Sequence, residues 1–190
     1  MVMTHNYRKQ IEGFRPCCAQ EEGDKAIIMA LCKAHEDILT RDNLLCHLTA
    51  SGLILNGAMD KMLMTFHNIY QTWTWTGGHT DGDGDLEAVA LREAIEETGV
   101  SRASLLRPEM ASLDIIPVYG HVKLGKYVSA HLHLNASYLL VASERDKLSV
   151  RQGENSGVAW VPLPQVAARS GEPELIRVYG KMLSRLGIAL

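Results

Sequence analysis

The chain has 190 residues, 46% of them hydrophobic, and a formal net charge of -3. This is one medium domain, or a domain with an extension, with enough apolar material for a sizeable core. The slight acidity argues against a general nucleic-acid binder, and no apolar run approaches the ~20 residues that span a bilayer, so neither a membrane nor a stable nucleic-acid partner is expected.

The opening MVMTHNYRKQ has no secretory apolar segment, and Cys17, Cys18, Cys32 and Cys46 lack the C-x2-C spacing of a zinc site. We expect a cytoplasmic protein with free thiols. FRPCCAQEEG reads as a turn-rich lead-in. Ile27, Ile28, Leu31, Ala34 and Ile38 then mark an amphipathic helix over Asp24–Leu39. Residues 1–44 are expected to be a helical N-terminal extension, and residues 45–190 the functional domain.

From Cys46 onward the pattern turns to strands. His47–Asn56 and Lys61–Asn68 read as an antiparallel pair across the NGAMD turn, and TWTWT (Thr72–Thr76) alternates as a strand that Gly77 and Gly78 should break. Asp85–Thr98 is the clearest helix, with Asp85 as N-cap, Glu87 beside the positive helix end and Gly99 as stop. Further strands are expected at Ser112–Gly120, Tyr127–Ser143 and Val158–Leu163, and a closing helix at Pro173–Gly187. Strands, a helix, more strands and a last helix imply an α/β (α+β) fold, a mixed sheet with helices against it.

The stretch GGHTDGDGDLEAVALREAIEETGV crowds Asp81, Asp83, Asp85, Glu87, Glu93, Glu96 and Glu97 behind a glycine pair. At 100° per residue, Glu93, Glu97, Glu96 and Arg92 fall within an arc of about 140°, and Leu91, Ala94, Ile95 and Thr98 lie on the other side, as if for the core. Like charges at i,i+4 cost roughly 0.2–0.5 kcal/mol per pair, which a solvated face could tolerate. The glycines and the further acids of HTDGDGD point instead to hard-oxygen ligation of Mg2+ or Mn2+ and to phosphate chemistry. A calcium loop opening at Asp81 fails, because Leu86 stands where glycine is needed and Arg92 where a bidentate glutamate is needed.

These residues resemble the Nudix hydrolase signature, G-x5-E-x7-R-E-U-x-E-E-x-G-U. Gly78 opens it, and Arg92-Glu93-Ala94-Ile95-Glu96-Glu97-Thr98-Gly99-Val100 closes it at the right spacing. Two positions depart: Ala94 stands for a bulkier apolar residue, and Gly84 stands where the first glutamate belongs. Arg92 then needs another partner, from Asp83, Asp85 or Glu87.

The resemblance implies a Nudix-type α/β/α sandwich. It implies metal-dependent cleavage of a nucleoside diphosphate linked to another moiety, a small-molecule partner. The metal would be held by Glu93, Glu96, Glu97 and the Gly77 backbone, with Arg92 in a catalytic role and Glu93 or Glu154 as base. A homodimer is compatible with it. Gly84 keeps open a second reading, a catalytically weak domain that binds a nucleotide as a sensor. His79, Trp75 and His131 are the candidate substrate contacts. His131 and His133 share a strand face, but two imidazoles alone do not make a metal site.

Overall fold

The computed structural model describes residues 6–123 and 125–190. Every residue of β1 (Cys46–Leu55) is buried, because this strand runs through the middle of the sheet. On one side it pairs antiparallel with β2 (Lys61–His67) and, further along, with β4 (Thr76–His79); β3 (Thr72–Thr74) pairs with β2. On its other side it runs parallel to β9 (His131–Ala142), in register from Cys46↔Leu132 to Leu55↔Val141. Beyond β9 lie β5 (Ala103–Leu105) and β6 (Ser112–Val118), and beyond β2 lies β10 (Asn155–Pro162), which completes a mixed eight-stranded sheet. A separate hairpin joins β7 (His121–Lys123) to β8 (Lys126–Val128).

Strand alternation sends neighbouring side chains to opposite faces, and each face finds its own helices. Leu48, Ala50 and Ile54 pack with Leu86, Val89, Ala90 and Ala94 of α3 (Leu86–Thr98). Leu53 and Leu55 pack instead with α4 (Leu163–Arg169) and α5 (Pro173–Ser184), through Val166, Tyr179, Met182 and Leu183. The expected α/β/α layering is present.

The first helices, α1 (Asn6–Gly13) and α2 (Ala19–Ala34), join the α3-side core through Tyr7, Ile11, Ile28 and Cys32. Glu21, fully buried, ties α2 to the last helix: its carboxylate meets Arg185 at 2.8 Å and Lys181 at 3.2 Å. Burial pushes this carboxyl up, but the Cys17 N–H, Lys181 and Arg185 outweigh it and hold it below the usual range. Asp24 accepts from the Ile115 N–H of edge strand β6 at 2.9 Å, so α2 covers a donor that the sheet leaves unpaired. Among the described residues, no helix is long and apolar enough to cross a membrane.

Several local expectations need correction. The helix expected at Asp24–Leu39 begins at Ala19 and ends at Ala34, so the lead-in is partly helical; Ile38 and Leu39 are buried from a turn. Gly77 and Gly78 do not break the strand but form β4, opposite Ser51 and Ala50. The run Tyr127–Ser143 divides at Ser129-Ala130. The expected strand Thr72–Thr76 is interrupted at Trp75, which falls in the break between β3 and β4.

Candidate active site

Helix α3 starts where expected: the Asp85 side chain accepts from the Ala88 N–H at 3.3 Å, and Gly99 ends the helix at φ 74°, a left-handed conformation that glycine adopts without strain. Its orientation differs from the expectation. The buried stripe is Leu86, Val89, Ala90, Glu93, Ala94, Glu97 and Thr98, whereas Ile95 is 39% exposed. Two of the three glutamates therefore face the sheet, and Glu96 faces outward.

What admits them is the glycine pair. A Cβ built on Gly78 would lie 2.5 Å from Glu93 Cδ, so no larger residue fits unless that carboxylate moves. The Gly77 N–H donates to Glu97 Oε2 at 3.2 Å. Gly77 itself is tight against β1, where a Cβ would collide with Ser51 Oγ.

Glu154 arrives from the turn before β10. Asn155, next in the chain, fastens that turn to the end of α3: its Nδ2 donates to the Glu97 carbonyl at 2.9 Å, and its Oδ1 accepts from the Arg151 N–H at 3.1 Å. Glu93, Glu97 and Glu154 can each present one carboxylate oxygen with all three within 4.8 Å of one another. Burial, then the charge of Glu93, pushes the Glu97 carboxyl up to about 8, although the Gly77 N–H opposes this. Burial also raises Glu93, against the pull of Arg151.

The sequence reading missed Arg151. Its guanidinium nitrogen stands 3.0 Å from Glu93, 2.9 Å from Glu96 and 3.2 Å from Glu154, so one cation serves three carboxylates. The only local hint is the i,i+3 spacing from Arg151 to Glu154. Asn155 was also missed, because its partner on α3 is distant in the chain.

Asp83 proves to be the partner of Arg92, at 3.0 Å, and it also accepts from the Asp85 N–H. Asp81 pairs with Arg41, with Nε to Oδ1 at 2.8 Å. The three aspartates of the would-be calcium loop are thus each engaged within the protein. Trp75 is buried against Tyr179, with ring centroids 5.3 Å apart, and its backbone N–H donates to the Tyr179 hydroxyl. His79 and His131 meet His47 and His133 in a separate imidazole cluster.

The three clustered carboxylates, two of them buried, form a hard-oxygen donor set that could hold a divalent cation such as Mg2+ or Mn2+. A family model for the NUDIX domain matches residues 47–181. The chain belongs to the NUDIX family. It is a NUDIX-type pyrophosphohydrolase, a hydrolase acting on acid anhydrides.

No curated protein matches the chain. Among solved structures, a NUDIX-family hydrolase from Clostridium perfringens is 21% identical at a TM-score of 0.53, covering 74% of this chain and 97% of that one. The NUDIX domain of Shewanella oneidensis NrtR, complexed with ADP ribose, is 18% identical at 0.53, covering 73% and 87%. A C. elegans Ap4A hydrolase is 17% identical at 0.51, covering 73% and 97%. At these identities the likeness establishes the NUDIX fold.

Proposed function

We propose that this NUDIX enzyme hydrolyses the phosphoanhydride of a nucleoside diphosphate linked to a second moiety, with Mg2+ or Mn2+ held by Glu93 and Glu97 and with Glu154 beside them as base. Glu96 and the Gly77 backbone complete the rim. The observation that carries this reading is the buried carboxylate cluster beneath the glycine pair. Like charges brought together with that much desolvation are costly unless a cation joins them. When bound, the ion screens the diphosphate and acts as a Lewis acid on a phosphoryl oxygen.

The chain's own groups divide the remaining work. Glu93 is wedged under Gly78 and held by Arg151, so it is a fixed ligand. Glu154 is half-buried on a turn, open to solvent water, and is the better general base: its carboxylate accepts the proton of the attacking water. Arg92 acts indirectly, since its pair with Asp83 braces the loop that leads into α3. The neighbours that handle Ap4A and ADP-ribose support a nucleoside phosphoanhydride as the substrate class.

Arg151 favours one other reading. Its guanidinium already balances the carboxylates, as it would in a domain that binds a nucleotide without cleaving it. A panel of nucleoside diphosphate derivatives, assayed for product release with Mg2+, with Mn2+ and with EDTA, separates the two. Cation-dependent release is expected; saturable binding without release would replace the enzyme with a sensor.

A further inference from the structure

We propose that His47, His79, His131 and His133 form a second metal site, one that takes a zinc-type transition-metal dication on imidazole nitrogens. The proposal does not depend on the substrate reading above. The four residues come from three adjacent strands. His47 on β1 stands opposite His133 on the parallel strand β9, His131 shares the His133 face, and His79 closes the group from β4. Gly78 turns its α-carbon toward α3, so the next residue, His79, projects from the opposite sheet face. The imidazole site and the carboxylate site thus lie back to back across one short strand.

One ligand nitrogen from each histidine can be chosen so that all four lie within 4.8 Å of one another. The His47 ring is the hub, with centroids 4.9, 4.8 and 5.1 Å from His79, His131 and His133. A tetrahedral ion with bonds of about 2.0–2.1 Å sets its ligands roughly 3.3–3.4 Å apart. The His131–His133 nitrogen pair, at 3.2 Å, already has that spacing, and an ion would draw in the others from within 4.8 Å by side-chain rotation.

The protonation pattern suits ligation. His47 Nδ1 lies 3.1 Å from the Asn43 carbonyl and His131 Nδ1 lies 2.8 Å from the Ser129 carbonyl. A carbonyl only accepts, so each Nδ1 carries the proton and each Nε2 presents a lone pair. Backbone carbonyls that fix the far nitrogen are a usual support for metal-binding histidines. His133 Nε2 donates to His131 Nε2 in this arrangement, and moving its proton to Nδ1 frees both nitrogens.

The second, independent sign is His47 Nε2. It is buried on a side chain 4% exposed and has no hydrogen-bond partner among the described residues. A buried lone pair on a ring that three other imidazoles surround at 4.8–5.1 Å between centroids is costly as it stands and would be satisfied by a cation. An all-nitrogen set selects Zn2+, Ni2+ or Cu2+ over Mg2+, whereas the glutamates select the reverse.

The test uses the full chain, stripped of metal and titrated with Zn2+ in excess Mg2+. One retained equivalent is expected, with X-ray absorption showing a nitrogen-dominated shell at about 2.0–2.1 Å. The double variant His131→Gln/His133→Gln should weaken Zn2+ binding by roughly 100-fold or more. Glu97→Gln should keep the equivalent. A shell dominated by oxygen, or Zn2+ lost in Glu97→Gln and kept in the histidine variant, would overturn the proposal by moving the ion to the carboxylates. If the double variant fails to fold, the wild-type absorption spectrum decides alone.

Discussion

Gly78 and Glu93 occupy one another's space: the room that a side chain would need on the glycine is filled by the glutamate's carboxylate. Gly78→Ala should therefore displace Glu93 rather than unfold the sheet, since the strand pairing of β4 uses only backbone. Misplacement of about 1 Å can cost roughly 100-fold in rate. We expect a loss of that order with a near-native melting temperature, measured by kinetics and calorimetry on one preparation. An unimpaired rate would mean that Glu93 has no fixed position to lose.

Glu97→Gln separates stability from function. The carboxyl is buried beside Glu93 and pushed up to about 8, whereas a neutral amide can still accept from the Gly77 N–H. The metal-free variant should be more stable at pH 8, by about 1 kcal/mol or more, or roughly 2–4 °C for a chain of this size. Cation-dependent hydrolysis should vanish. A less stable and fully active variant would contradict both halves.

Glu154→Gln tests the base. Loss of a general base removes about 10²–10⁴ in rate, and it should appear in kcat with KM little changed. A rise in KM alone would make Glu154 a binding residue and return the proton to Glu93.

Arg151 competes with any cation for the same carboxylates. Arg151→Gln should lower the melting temperature in EDTA, because Glu93, Glu96 and Glu154 then repel one another unrelieved. The same change should lower the Mg2+ concentration that restores stability. Opposite shifts in the two titrations are the signature; parallel shifts would show that Arg151 only packs.

The pH dependence of stability follows from opposing shifts. Burial, with Lys123 and His121 nearby, pushes His67 down to about 4 from an ordinary 6.5. Between these values the unfolded chain binds the extra proton, so this contribution is complete above 6.5 and lost as pH falls toward 4. His47, His79 and His133 are lowered too and add the same sign. Glu97, raised from 4.5 to about 8, does the reverse: its contribution is complete below 4.5 and lost as pH rises to 8. Metal-free protein should be most stable near pH 6.5, with Mg2+ flattening the alkaline decline. Denaturation in EDTA from pH 5 to 9 checks this, and stability still climbing at pH 8 would refute it.

Local chemistry made much of this legible. Asp85 and Gly99 bound α3 because capping is a short-range matter of side-chain oxygen and backbone φ. The β1–β2 pair was visible in apolar runs on either side of a turn. The arginine and glutamate spacing of the box identified the family without any contact being known.

The sequence by itself determined the chemical inventory: which carboxylates, on which helix, at which spacing. Only the tertiary structure decided which way that helix faces. Periodicity put Leu91 and Ile95 in the core, yet the buried side is the one bearing Glu93 and Glu97, because Gly77 and Gly78 on a neighbouring strand leave room there. The four histidines likewise come together through strand pairing, and Arg151 and Glu154 arrive on the turn before β10 that Asn155 fastens to α3. No local pattern encodes that pairing, since it depends on which distant backbones share hydrogen bonds.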